Sequence, residues 1–519
     1  MSKLKRNVIL IVSFVLVLTM GLAGCSTGNG GGSSNGGQNR NGNPSANDQD
    51  DDGSGNDEPV TVTIVTQQVN EVPQPGNPVE LAIEEMINAD LDIQWTPSTA
   101  YDDKVSVMIA SGELPDVLTI SYSATYLPAV RDGQFWEIGP YMGELSNMSA
   151  MNPMYFDNIK VDGKLYGIPI FRNLARSGIV YRKDWFDRFG LDIPTTTDEW
   201  YEAVKAMVEN DPDQDGNRNT WGLMLDKNFV GGMTSGLNRL AVSLGAPNMW
   251  GESDGQLVPN FMTNEYREVL RLFRRLYAEK LINQDFAITE TSTADDAWRA
   301  GKVGIQVTTV NNAYTRSEEL KELPGAVVDA AALTGPDGRR AAAESGNNGF
   351  LVFPKSTVGN EDELRRLLQV FDRMLDPDVA TLLSLGIEGT HWERDGEFGV
   401  WKDYDKFYLE VKPYRDRLIN MEDGGSGVPL KREPIDQKAR EITLSNLDYA
   451  VKNPALTLYS PTYTDRGAEL DILIKDAQIK YIMNEIDEEG FEQEVQRWLD
   501  AGGQKVIEEY TEAYKANGS

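Results

Sequence analysis

Between residues 60 and 120 the apolar spacing changes period four times, and that alternation limits the fold more than any other stretch. VTVTIVTQ (60–67) alternates apolar and polar positions and is rich in β-branched residues, the pattern of a strand. From Asn77 onward, Val79, Ile83, Met86 and Ile87 fall on one helical stripe. LDIQWTP (91–97) reads as a second strand. Asp102 to Ala110, carrying Val105, Met108 and Ile109, reads as a second helix, and LPDVLTI (114–120) as a third strand. Strands separated by helices return to their sheet in parallel, so the class is α/β with a largely parallel sheet. Ligands of such sheets sit beyond the carboxyl ends of the strands. The loop SYSATY (121–126) leaves the third strand at such a place, which makes Tyr122 and Tyr126 candidate ligand contacts.

Further helices follow the same logic. Thr196 and Glu199 form a capping box ahead of Trp200, Ala203, Val204 and Met207 at helical spacing. Two more stripes run through Tyr266, Val269, Leu270, Phe273, Leu276 and Tyr277, and through Leu364, Leu367, Leu368, Phe371 and Met374. Between them lie the strand-like runs SGIVYR, KVGIQVTT and GFLVFPK. Trp136 and Trp298 are expected in the core. A chain of 519 residues exceeds one ordinary domain and implies about two or three units.

Charge and composition remove several functions. Acidic residues number 81 against 49 basic ones, a net charge of −32, which repels phosphate backbones and anionic lipid. The chain has one cysteine and one histidine. No internal disulfide can form, and a zinc site needing two histidines is excluded. A Ser-His-Asp mechanism would have to use His391, which reads more simply as a hydrogen-bonded structural residue. Carboxylate chemistry stays open, because a glycosidase needs only two acids.

The first residues point to export. Lys3, Lys5 and Arg6 precede an apolar run from Val8 to Leu18, too short for a spanning helix and typical of a signal peptide over residues 1–24. Residues 25–58 are mostly Gly, Ser, Asn and Asp and read as a flexible tether. Leu22-Ala23-Gly24-Cys25 resembles the bacterial lipobox. That resemblance implies cleavage before Cys25 and acylation of its thiol. The protein is then expected on the extracellular face of a cell membrane, lipid-anchored, in a Gram-positive bacterium.

Residues 162–207 (DGKLYGIPIFRNLARSGIVYRKDWFDRFGLDIPTTTDEWYEAVKAM) resemble the signature region of extracellular solute-binding proteins of carbohydrate ABC transporters. ADDAWRAGKVGIQVTT (294–309) resembles another of their segments. GIEGTHW (386–392) and residues 458–487 resemble the large Gram-positive oligosaccharide-binding branch. The resemblance implies a two-lobed periplasmic-binding-protein-like fold of type II, with discontinuous lobes and crossings near 168–171, 303–307 and 346–350. The N-terminal lobe is expected to hold 59–168 plus 304–346, and the C-terminal lobe 169–303 plus 347–519. It further implies a non-catalytic receptor that closes by hinge motion on an oligosaccharide and hands it to the transmembrane permease subunits. A monomer is expected. The rivals are an extracellular glycoside hydrolase or lyase, and a peptide-binding or sensor lipoprotein.

A sugar site wants aromatic platforms ringed by hydrogen-bonding groups. Besides Tyr122 and Tyr126, the candidates are Arg172 and Asn173 after the first crossing, Trp250 in the turn-rich APNMWGESDG, Asn311 after KVGIQVTT, and Tyr459 and Tyr463 flanking Pro461. Uronate-containing chains fit because Arg172 or Arg176 can pair a carboxylate bidentately.

DPDQDGNRNTWGL (211–223) opens like an EF-hand, with Asp at the first, third and fifth positions and Gly at the sixth. The twelfth position, which needs a bidentate Glu, is Gly222, and TWGLML reads as a strand rather than an exit helix. An EF-hand is therefore excluded. Resemblance to the calcium loops of the oligosaccharide-binding family implies instead a structural Ca2+ held by Asp211, Asp213, Asp215, the Asn217 backbone oxygen, Asn219 and Thr220. The family often has an acid where Thr220 stands, so the site carries one charge fewer.

Overall fold

The computed structural model describes residues 58–517 apart from 69–70, 124 and 422–424. The leader, Cys25 and the tether as far as residue 57 lie outside the described residues. Nine strands build the two principal sheets: β1 Val60–Gln68, β2 Ala89–Pro97, β3 Val117–Ile120, β4 Gly167–Phe171, β5 Ser177–Arg182, β6 Trp221–Leu223, β7 Val303–Thr309, β8 Val328–Ala331 and β9 Asn347–Val352. The first sheet runs β2-β1-β3-β9-β4 and the second β8-β5-β7-β6.

The opening alternation folds as its periods dictate. β1 pairs in parallel with β2, Ile64 facing Ile93, and with β3, Ile64 facing Val117. The helix Pro78–Ile87 begins because Asn77 Oδ1 accepts from the Val79 and Glu80 N–H groups at 2.9 and 3.2 Å, with Pro78 at the first helical position. It buries Val79, Ile83 and Ile87, whereas Met86 faces solvent.

The helix Thr197–Glu209 starts on Thr196, whose hydroxyl accepts from Glu199 N–H at 3.2 Å. The Glu199 carboxylate reaches Thr195 rather than Thr196, at 2.7 Å to its N–H and 2.8 Å to its hydroxyl, so the reciprocal arm of the cap is displaced by one residue. The buried face of this helix lies directly on the second sheet. A Cβ at Gly222 would stand 2.6 Å from Val204 Cα, and one at Gly304 would stand 2.2 Å from Met207 Sδ. Glycine is needed at both places for close approach.

Two lobes result, each an α/β unit. The first core joins Ile64, Ile83, Val117 and Phe350 to Leu364, Phe371 and, furthest along the chain, Ile419. The second sheet is covered on both faces. One side gathers Trp200, Leu223, Phe273, Ile305, Leu470 and Trp498; the other gathers Val180, Trp298, Val303, Ala330 and Ala439.

This corrects the expected boundaries. Segment 304–346 does not join the first lobe: β7 pairs with β5 and β6, and β8 pairs with β5. Nor does 347–519 belong wholly to the second, because β9 inserts antiparallel between β3 and β4, Phe350 facing both Ile120 and Pro169. No crossing occurs at 303–307. The chain passes between sheets at 172–176 and again at 343–346. The helix Pro434–Ser445 is back on the second lobe, packing Ala439.

The segment GIEGTHW is a packing device. Gly386 stops the helix Pro377–Leu385 at φ 83°, ψ −158°. His391 is fully buried, its Nδ1 accepting from Ile387 N–H at 2.9 Å and its Nε2 lying 3.1 Å from Glu410 Oε2. Trp392 Nε1 donates to the Gly386 carbonyl at 2.8 Å. The expected structural histidine is what the structure contains.

Candidate functional site

The strand directions bring the carboxyl end of β3, the end of β4 and the start of β9 to one edge of the first sheet, since Ile120 faces Phe350 and Asn347 faces Phe171. In the second sheet the start of β5 meets the end of β7, Ser177 facing Thr309. Every residue singled out near the crossings lies close to these two edges.

At the first crossing, Arg172 N–H donates to the Gly346 carbonyl at 2.9 Å, and its Nη1 donates to Asn348 Oδ1 at 3.2 Å. Gly346 has φ 75°, and a Cβ there would strike Leu174 at 2.5 Å, so only glycine lets the two crossing segments touch. Arg172 is exposed, whereas Arg176 is buried and paired with Glu344. Of the two arginines proposed to meet a carboxylate, Arg172 is the exposed one. Arg239, which the sequence reading missed, gives Glu344 a second partner at 2.8 Å and also donates to Thr309 Oγ1 at 3.0 Å. Burial lowers the Arg239 pKa; Glu344 opposes this, and Arg176 and Arg172 add to it. Two guanidinium groups, those of Arg176 and Arg239, thus share one buried carboxylate just behind the exposed Arg172.

Tyr122, Tyr459 and Tyr463 come together around a cavity of 370 Å³. Tyr122 donates its hydroxyl to the Thr457 carbonyl at 2.7 Å. The Arg131 guanidinium lies 3.8 Å over the Tyr459 ring. Tyr463 donates to Asp471 Oδ2 at 2.8 Å, and burial pushes its phenol pKa up. Asn173 is buried and lines a different cavity, of 470 Å³, together with Thr443. Thr443 in turn donates to Asn311 Oδ1 at 3.0 Å.

Two candidates are placed otherwise. Tyr126 is 1% exposed and hydrogen-bonded to Asp102, which makes it part of the first-lobe core. Trp250 does have structure to pack on. It begins a hairpin strand, Trp250–Ser253, paired with Gln256–Pro259, and meets Tyr510 edge-on with ring centroids 5.0 Å apart. It lines a neighbouring cavity with Tyr463, and its partner Tyr510 has its ring 6.0 Å from that of Tyr463.

In the acidic loop, Asp211, Asp213 and Asp215 bring carboxylate oxygens within 4.8 Å of one another. Asp211, at φ 47°, accepts from the N–H groups of Asp215 at 3.1 Å and Gly216 at 2.9 Å. Lys302 Nζ enters the cluster, donating to Asp213, to Asp215 at 2.8 Å and to Asn219 Oδ1 at 3.1 Å. Lys302, the Asn219 amide and the Asn217 N–H hold the Asp215 carboxyl well below the usual carboxylate range. Asp213 Oδ1 is buried without a hydrogen-bond partner. An all-oxygen donor set with one spare carboxylate oxygen fits a hard divalent cation, with the Lys302 ammonium as its competitor. Thr220 is not in the set as expected: it is 1% exposed and its hydroxyl donates to the Met207 carbonyl at 2.8 Å.

Two discontinuous α/β lobes, with aromatic and charged side chains gathered where the chain passes between them, define a receptor for a small solute. The chain belongs to the bacterial extracellular solute-binding protein family, whose model matches residues 83–358. Members of this family capture a ligand without transforming it, so the protein is not an enzyme. Over 440 residues it is 36% identical to the polygalacturonan/rhamnogalacturonan-binding protein YtcQ of Bacillus subtilis, covering 83% of this chain and 87% of that one. Lipoprotein LipO of the same organism is 34% identical over 454 residues, 86% of this chain and 90% of its own. Among solved structures, an HMO binding ABC-transporter associated solute binding protein from Bifidobacterium longum infantis superposes with a TM-score of 0.68 at 16% identity. That match covers 88% of this chain and 98% of the other, and it shows the shared fold.

Proposed function

We propose that the protein is the substrate-binding lipoprotein of an ABC importer that captures uronate-containing oligosaccharides between its lobes and delivers them to a membrane permease. The Arg172 guanidinium, exposed where the chain passes between the lobes, carries this reading. Arg172 stands at the interlobe edge, with the buried Arg176–Glu344–Arg239 cluster behind it. A galacturonate carboxylate would suit the Arg172 guanidinium, which favours bidentate pairing. Tyr122, Tyr459 and Tyr463 offer rings for the apolar faces of sugar units. The likeness to a polygalacturonan/rhamnogalacturonan-binding protein agrees with this chemistry.

Calorimetry with oligogalacturonates against neutral xylo- and gluco-oligosaccharides tests it. Preferential binding of the acidic series is expected, with affinity falling as salt rises. Equal binding of both series removes the uronate, and binding of neither removes the sugar.

Two subsidiary readings go with this one. Cys25 carries the lipid anchor; among the described residues no helix is long and apolar enough to cross a membrane. Replacing Cys25 by Ala should release the protein into the medium. The acidic loop is a calcium clip at the exit of the Thr197–Glu209 helix, in which Asp211, Asp213, Asp215 and Asn219 hold the ion once Lys302 swings away.

A further inference from the structure

The cavity of 470 Å³ holds an anomaly that the crossing charges do not explain. Asn420 is 3% exposed and lines it, yet among the described residues neither its Oδ1 nor its Nδ2 has a hydrogen-bond partner. Buried carboxamides are almost always satisfied by protein, water or a ligand, so an amide orphaned at both atoms marks a place where a guest belongs. The neighbouring polar groups do not supply that partner. Ser426 donates to the Leu375 carbonyl at 3.0 Å, Asn147 to Asp372 and Asp376 at 2.9 Å each, and Thr443 to Asn311 and Ala439.

Both lobes build the walls. Leu375 and Met421 belong to or pack on the first core. Thr443 and Leu444 stand on the helix Pro434–Ser445, which packs on the second. Asn173, next in the chain to Arg172, lines the cavity too. The volume falls in the range of small-molecule sites, about 300–1,000 Å³. Apolar side chains dominate the lining, among them Met151, Leu174 and Leu447. Such a wall with carboxamides set into it suits a pyranose ring. The ring rests its C–H face on the apolar side chains, while Asn420 Nδ2 donates to one hydroxyl and Oδ1 accepts from the next.

We propose that this cavity is an end subsite that takes the terminal unit of the bound oligosaccharide, Asn420 reading a pair of vicinal hydroxyls. The proposal rests on the oligosaccharide reading above and adds to it a chain-length limit and a residue that recognises the chain end. Occupation would touch both lobes at once and so favour the closed arrangement.

Calorimetry with di- to hexagalacturonate on wild type, Asn420→Ala and Asn420→Ser tests it, with the melting temperature of each variant as folding control. Affinity of the wild type should rise by about tenfold at the length that first reaches the subsite. Asn420→Ala should abolish that step and leave shorter ligands within about twofold. Asn420→Ser, which keeps one donor and acceptor, should retain part of the step and serves where the alanine variant does not fold. If every length binds both variants as it binds the wild type, bound water satisfies the amide and the subsite is refuted. If the wild type binds no length at all, the oligosaccharide reading fails first and the subsite with it.

Discussion

Lys302 Nζ donates to Asp215 Oδ2 at 2.8 Å and to Asp213 beside it, so an ammonium stands where three carboxylates converge. A divalent ion and this lysine therefore compete for the same oxygens. Calcium should raise the melting temperature of the wild type modestly, by mass action on the folded state alone. Lys302→Met should lower the melting temperature in chelator, because the carboxylates then repel one another, and should enlarge the rise on adding calcium. Thermal melts of both proteins in calcium and in chelator check this. Identical melts under all conditions would rule the clip out.

Arg172→Gln should weaken oligogalacturonate binding by about tenfold to a hundredfold, the worth of a charge-assisted hydrogen-bonded pair. Neutral oligosaccharides should bind that variant as before. Calorimetry at fixed ionic strength distinguishes a lost charge contact from a general loss of the site.

Glu344→Gln should destabilise the fold by about 3–5 kcal/mol, because it removes the carboxylate charge that Arg176 and Arg239 share in a buried place. Denaturant melts read the loss directly. A change below about 1 kcal/mol would mean that water or the ligand neutralises the pair.

Gly386→Ala should cost about 3 kcal/mol or more. The φ, ψ pair there is accessible in practice only to glycine, and the new Cβ would stand 2.6 Å from His391 Nδ1 in a fully buried site. The unfolding midpoint measures it, and sugar affinity per folded molecule should be unchanged.

Gly222→Glu, which restores the acid an EF-hand would carry, should not create a calcium site. Its Cβ collides with the Val204 backbone at 2.6 Å, and loss of soluble folded protein is the expected outcome.

Local chemistry was legible in the sequence, and long-range partnership was not. The switching periods of residues 60–120 placed three strands and two helices, because each period is set by neighbours in the chain. The cap at Thr196 was visible for the same reason, although its glutamate arm chose Thr195. The lobe boundaries failed because β9 pairs with β3 and β4 from far along the chain, and no local period encodes which sheet a strand joins. Tyr122 and Tyr126 look alike in the loop. Only the fold shows that Tyr126 turns inward to Asp102 while Tyr122 spans to Thr457. Lys302 was overlooked because its partners lie far back in the chain, and Asn420 because an orphaned amide has no sequence signature.

The insertion of β9 also dictates an order of assembly. β4, the wholly apolar GIPIF edge, has β9 as its single hydrogen-bonded neighbour in the sheet. Synthesis from the N-terminus delivers β4 long before β9, with most of the second lobe's strands emerging in between. Until then β3 and β4 are open, sticky edges of the kind that pair with other chains. A nascent or truncated protein ending before Asn347 cannot close its first sheet. Productive folding must therefore wait for the 175 residues between Phe171 and Asn347, about as long as a full domain. The first sheet can close only after every strand of the second has been made.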